Sequence, residues 1–119
     1  MRPKYEIQRS RETFAQAEAS QGRARKWARI TIWRRMEPED WARLRGEALH
    51  LLARGYRCWE LDLTPLEFCD SLAMGMVLTL HASIRRRGGR LDLRLDGDTG
   101  ILPTLAAAGV DQIVPIIAI

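Results

Sequence analysis

The sequence predicts a single α/β domain: a mostly parallel central sheet of about five strands, with three or more helices joined to it by right-handed crossovers. Three observations carry this reading. From residue 29 onward, short stretches that alternate apolar and polar residues take turns with longer stretches of helical period. Glycine closes each helical stretch, at Gly55, at Gly88-Gly89 and at Gly109. The chain's 119 residues, 46% of them hydrophobic, suffice for one core without help from disulfides or a metal.

The elements follow in order. Ala28-Arg29-Ile30-Thr31-Ile32-Trp33-Arg34 alternates as a half-buried strand does. Glu37-Pro38-Glu39-Asp40 then opens a helix, because proline fits the first turn and the acids complement the positive end of the helix dipole. Trp41, Leu44, Ala48, Leu51 and Leu52 share one face of that helix, while Arg43, Arg45 and Glu47 point away. Cys58-Trp59-Glu60-Leu61-Asp62-Leu63 is a second strand, followed by a loop through Pro65. A long helix spans residues 71–87, apolar early and basic at Arg85-Arg86-Arg87, where cations meet the negative end of the dipole. Arg90-Leu91-Asp92-Leu93-Arg94-Leu95 alternates cleanly as a third strand, residues 99–108 form a short helix, and residues 112–116 form a last strand whose Pro115 suits a sheet edge. Residues 1–28 stand apart as a basic segment: residues 4–9 suit an edge strand, residues 12–20 have helix-forming composition, and residues 21–26 read as a basic loop. The main domain is assigned to residues 29–119.

Charge is unevenly spread. Residues 1–36 carry ten Lys and Arg against three Glu, whereas residues 37–119 carry nine against twelve acids. A basic arm suits RNA, anionic lipid or an acidic partner, but the chain shows no aromatic platform or nucleic-acid motif. An arginine-rich solvated surface is the simpler reading, and no specific nucleic acid is expected. Cys58 and Cys69, eleven residues apart, match neither a disulfide framework nor a zinc site and read as reduced core thiols. There is no signal-peptide pattern at the start, and the apolar stretch 113–119 is too short to span a bilayer. The expectation is a cytoplasmic protein with no transmembrane segment, no metal and no cofactor.

The stretch Glu60-Leu61-Asp62-Leu63-Thr64-Pro65-Leu66-Glu67-Phe68-Cys69-Asp70-Ser71 resembles the signature of STAS domains: a strand ending in Asp-Leu, a short loop, an apolar pair, then Asp-Ser at a helix start. Arg87-Gly88-Gly89-Arg90-Leu91-Asp92-Leu93 is similar to that family's Gly-Gly turn and next strand, and residues 105–113 to its closing helix, glycine and strand. The likeness covers about residues 29–117. It implies an anti-sigma factor antagonist, in which Ser71 is phosphorylated by a kinase that is itself the anti-sigma factor and phosphorylation releases that partner. Asp62, Asp70, Ser71, Leu72 and Met74 are the implied partner contacts. The alternative is an accessory STAS subunit of a lipid-handling ABC-type membrane transport complex, docked on the transporter ATPase through the same helix.

The residues themselves support both a functional and a structural reading. A helix N-terminus leaves N–H groups unpaired and keeps a hydroxyl accessible, and a phosphate there brings nearly two negative charges beside Asp70. Yet Asp and Ser are also the ordinary helix caps, Asp62 suits a loop-shaping role, and Met74 and Met76 suit core packing. Leu72 and Ala73 stand where the family pattern has a small residue and glycine, and Gly75 reads as easing helix packing. Many members add a final helix after the last strand. Its absence here would leave apolar surface for another subunit, a second copy of the chain included. Catalysis is not expected: His50 and His81 lie in separate helices without a matching cluster, and Cys69-Asp70-Ser71 has no assignable base.

Overall fold

The computed structural model describes residues 2–10 and 26–119. The elements are β1 (Tyr5–Arg9), β2 (Trp27–Ile32), α1 (Pro38–Ala53), β3 (Cys58–Asp62), α2 (Ser71–Arg86), β4 (Arg90–Leu95), α3 (Ile101–Ala107), a 3-10 turn (Val110–Gln112) and β5 (Ile116–Ala118). The strands form one sheet in the order β1-β2-β3-β4-β5. β2 through β5 are parallel, as helices between strands require, while β1 pairs antiparallel with β2 from Tyr5↔Ile32 to Arg9↔Ala28. The edge strand expected at residues 4–9 is therefore present and hydrogen-bonded into the sheet. The readings of residues 12–20 and of most of the basic loop fall outside the described residues.

Strict alternation sorts the sheet into two faces. Ile30, Ile32, Leu61, Leu91, Leu93 and Leu95 are fully buried on one side. The other side carries Arg29, Glu60, Asp92 and Arg94, with Arg29 Nε 3.2 Å and Arg94 Nη1 3.7 Å from the same Glu60 oxygen. Cys58 belongs to this polar side, in register with Trp27 and Arg90, and is only half-buried. The core placement expected of both thiols holds for Cys69 alone, because the pleat turns Cys58 away from the helices.

On α1 the expected stripe of Trp41, Leu44, Ala48, Leu51 and Leu52 is buried. α1 packs against α2, and α2 against β4. Acids occupy the first turn of α1 (Glu39, Asp40), whereas the first turn of α2 has none. Asp40 does more than complement the dipole. Its Oδ2 accepts from the Glu37 backbone N–H at 2.8 Å and from Lys4 Nζ at 2.8 Å, tying the chain ahead of β1 to the start of α1. These two bonds, the lysine's first, hold its carboxyl below the usual range. A carboxyl depressed on folding contributes stability above its unfolded pKa of about 3.9 and loses it as pH falls through the lower folded value. Asp40→Asn should thus lower stability at neutral pH and flatten the acid limb below about pH 4 in urea unfolding repeated across pH.

The last strand differs from the expectation. Residues 112–116 do not form it: Gln112 ends the 3-10 turn, Val114 is buried as part of the core, and the strand starts after Pro115. Proline has no N–H to give the ladder, but its carbonyl accepts from Leu93 N at 2.8 Å, so Pro115 leads the chain onto the edge beside β4.

Candidate functional site

β2 and β3 run parallel, so the segments that follow them emerge at the same end of the sheet, where α2 begins. Asp70 is the N-cap of α2 with extended backbone, and its Oδ1 accepts from Ala73 N at 2.8 Å. Its other oxygen lies 3.1 Å from Arg35 Nε, in the segment after β2. One carboxylate thus caps the helix and clamps two neighbouring segments together. Ser71 is the first residue of the helix; it is exposed, and its hydroxyl makes no hydrogen bond among the described residues.

Other candidates play different parts. Asp62 Oδ1 accepts from Thr64 N at 2.9 Å, which shapes the turn after β3 and does not join Ser71. Leu72 and Met74 are half-buried and pack against the core, as does Met76. Cys69 is buried, and burial, with Asp70 adding, pushes its thiol up to about 11; such a thiol stays protonated and is a poor nucleophile. His81 is pushed toward the neutral form by burial and by Arg85. Among the described residues no group of His, Cys, Asp and Glu could hold a metal, and no helix is long and apolar enough to cross a membrane.

Gly75 does not ease packing. It is exposed, and a Cβ there would meet nothing within 4 Å. Gly75→Ala should raise the unfolding free energy by about 0.5–1 kcal/mol, the usual helix gain of alanine over glycine. Thermal or urea unfolding measures it, and an unchanged or lower midpoint would contradict the open surface.

Two residues that sequence reasoning passed over complete the site. Phe68, three residues before Ser71, is 66% exposed. The Phe68-Cys69 pair reads as apolar, but only Cys69 takes the inner place and Phe68 is left outside. Arg35 had no signal, since it sits 35 residues from Asp70. Beside them a cleft of about 260 Å3 opens, lined by Trp33, Met36, Trp41, Leu66 and Phe68, with Arg34 and Arg35. The indole N–H groups of Trp33 and Trp41 are closed to solvent and have no acceptor among the described residues. Leaving such donors unpaired costs about 1–3 kcal/mol each. Trp59, by contrast, donates to Tyr56 O at 2.8 Å.

A family model described as "Mlab, STAS domain" matches residues 20–115. The chain belongs to the STAS domain family. Two solved structures share the STAS fold seen here. The NMR structure of the protein TM1081 has a TM-score of 0.69 at 22% identity, covering 77% of this chain and 74% of that one. The crystal structure of a proposed anti-sigma factor antagonist, tm1081 from Thermotoga maritima, has a TM-score of 0.64 at 22% identity, covering 76% and 77%. No curated protein sequence matches. The STAS signature quoted above maps onto the end of β3, the loop, and the capped start of α2.

Proposed function

We propose that this STAS domain is a non-enzymatic partner-switching module of the anti-sigma factor antagonist kind, which binds a serine kinase acting as anti-sigma factor and is released when Ser71 is phosphorylated. The observation that carries the reading is the state of Ser71: an exposed hydroxyl at the first position of α2, without a hydrogen bond among the described residues and within three residues of the exposed Phe68. A phosphate on that hydroxyl adds nearly two charges to a surface that already holds Asp70. Repulsion and desolvation then oppose the docked state while the fold stays intact. No catalytic step is assigned to the domain, and its partner is a protein rather than a nucleic acid.

The test uses wild type and Ser71→Asp as baits in a lysate of the source organism, with captured proteins identified by mass spectrometry. A histidine-kinase-like ATPase held by wild type and lost by Ser71→Asp is the expected result. Equal capture by both, or by Ser71→Ala and Ser71→Asp alike, would remove the switch.

A second reading keeps the docking surface and drops the phosphorylation: an accessory subunit bound to the ATPase of a lipid-handling transporter. Two observations favour it. Leu72 puts a bulky side chain directly after the hydroxyl where the family pattern has a small one, and the matching family model bears the name Mlab. A transporter ATPase captured equally by wild type and Ser71→Asp decides for this reading.

A further inference from the structure

We propose that the cleft beside Asp70 is a specificity pocket for an acidic segment of the protein partner, taking one bulky apolar side chain of that segment together with an adjacent carboxylate. The proposal rests on the partner-binding reading above and names what the partner must present.

Size comes first. About 260 Å3 is below the range of cofactor and small-molecule sites, roughly 300–1,000 Å3, and suits a single anchoring side chain, the way buried interface anchors work. The walls agree, since Trp33, Met36, Trp41 and Phe68 offer aromatic and sulfur surface. Hydrogen-bonding capacity then selects the occupant's polar part. Trp41 is 3% exposed, yet its indole N–H has no acceptor among the described residues, and neither has the buried N–H of Trp33, whose ring also lines the cleft. Indole is a donor only. Arg34 and Arg35 add guanidinium donors beyond the one each already gives, Arg34 Nη2 to the Arg2 carbonyl at 3.2 Å and Arg35 Nε to Asp70 at 3.1 Å, and the Asp70 carboxylate is committed to Arg35 and the Ala73 N–H. Glu67, exposed, is the other acid on the cleft. Donors outnumber free acceptors, so the complementary group brings oxygen acceptors and negative charge. Reaching the indole N–H groups requires the rings to turn toward the opening, and binding is therefore visible at those two groups.

An acidic segment also sets the sign of the switch. Docked beside Ser71, it would be repelled by a phosphate there, whereas a neutral or basic segment would be indifferent or attracted.

The probe is a pair of synthetic tripeptides, acetyl-Glu-Phe-Asp-amide and its uncharged counterpart acetyl-Gln-Phe-Asn-amide, titrated into the 15N-labelled full chain. The indole N–H signals of its four tryptophans are assigned by single Trp→Phe variants. The acidic peptide should move the Trp33 and Trp41 signals saturably and leave Trp59, whose N–H is already bonded, in place. The neutral peptide should bind about fivefold more weakly, and Arg34→Gln should bring the acidic peptide down to the neutral level, the range of a partly exposed charge pair. Arg34 is chosen because Arg35→Gln would also release Asp70. No shift at either tryptophan at about 10 mM peptide, where even a millimolar site is mostly filled, would overturn the proposal. So would equal binding of both peptides, or acidic-peptide binding indifferent to Arg34→Gln. The lysate experiment fails separately: captured kinase without peptide binding removes the cleft and keeps the regulator, and peptide binding without any captured partner does the reverse.

Discussion

Replacing Gly89 with alanine is expected to lower the unfolding free energy by about 3 kcal/mol, the upper range for forcing one carbon into a filled site. A Cβ at Gly89 would lie 2.7 Å from Ile84 Cγ2, 2.9 Å from the Arg57 carbonyl oxygen and 3.2 Å from the Ile84 carbonyl oxygen. Ile84 is fully buried and cannot swing away. The Arg57 carbonyl accepts from Arg90 N at 2.7 Å, so it anchors the start of β4 beside β3 and cannot retreat without opening the ladder. Its neighbour Gly88 is there for another reason. Gly88 has φ 78°, the left-handed conformation that ends α2, and a Cβ on it would meet nothing within 4 Å. Gly88→Ala should cost only about 1 kcal/mol. Urea unfolding of the two variants separates the causes. Equal losses would mean that the surroundings of position 89 relax around the added carbon and that crowding there adds little.

Phe68→Ala should weaken partner binding by about thirtyfold, some 2 kcal/mol, while leaving the unfolding free energy within about 0.5 kcal/mol of wild type. The asymmetry follows from its position. At 66% exposure the ring contributes little to the domain's own core, yet it borders both the cleft and the start of α2. Exposed aromatic rings next to a pocket become buried anchors when a partner closes over them. Calorimetric titration against the protein captured by wild type measures the first number, and urea unfolding the second. Binding within twofold of wild type would take Phe68 out of the contact. A large loss of stability would instead make it a core residue whose exposure is misleading.

Much of this was legible because local periodicity and burial coincide. The strands at Trp59, Leu61 and at Leu91, Leu93, Leu95 alternate without interruption, and the α1 stripe from Trp41 to Leu52 has a single helical solution. The cap at Asp70 was legible for the same reason, since capping chemistry is confined to four consecutive residues. What escaped depends on distant partners. The pairing of Arg35 with Asp70 and of Lys4 with Asp40 joins residues more than thirty apart, and nothing in either local pattern announces it. The last strand was misplaced because Val114 looks like a strand residue but lies in the bend after the 3-10 turn, where its N–H donates to the Val110 carbonyl and its side chain joins the core. Phe68 was passed over because nothing in an apolar pair says which member faces the core, and Cys69 takes that place.

The empty first turn of α2 has a consequence for how such a protein is maintained. Where α1 spends Glu39 and Asp40 on the positive pole of its dipole, α2 leaves that place unfilled after its cap. A negative group added at Ser71 would occupy a position that helices favour for acids. The modified chain would then be no easier for proteases to open than the unmodified one. Under the proposed switch, abundance and occupancy would be separate variables, and a cell could turn the contact on and off many times with the same pool of molecules.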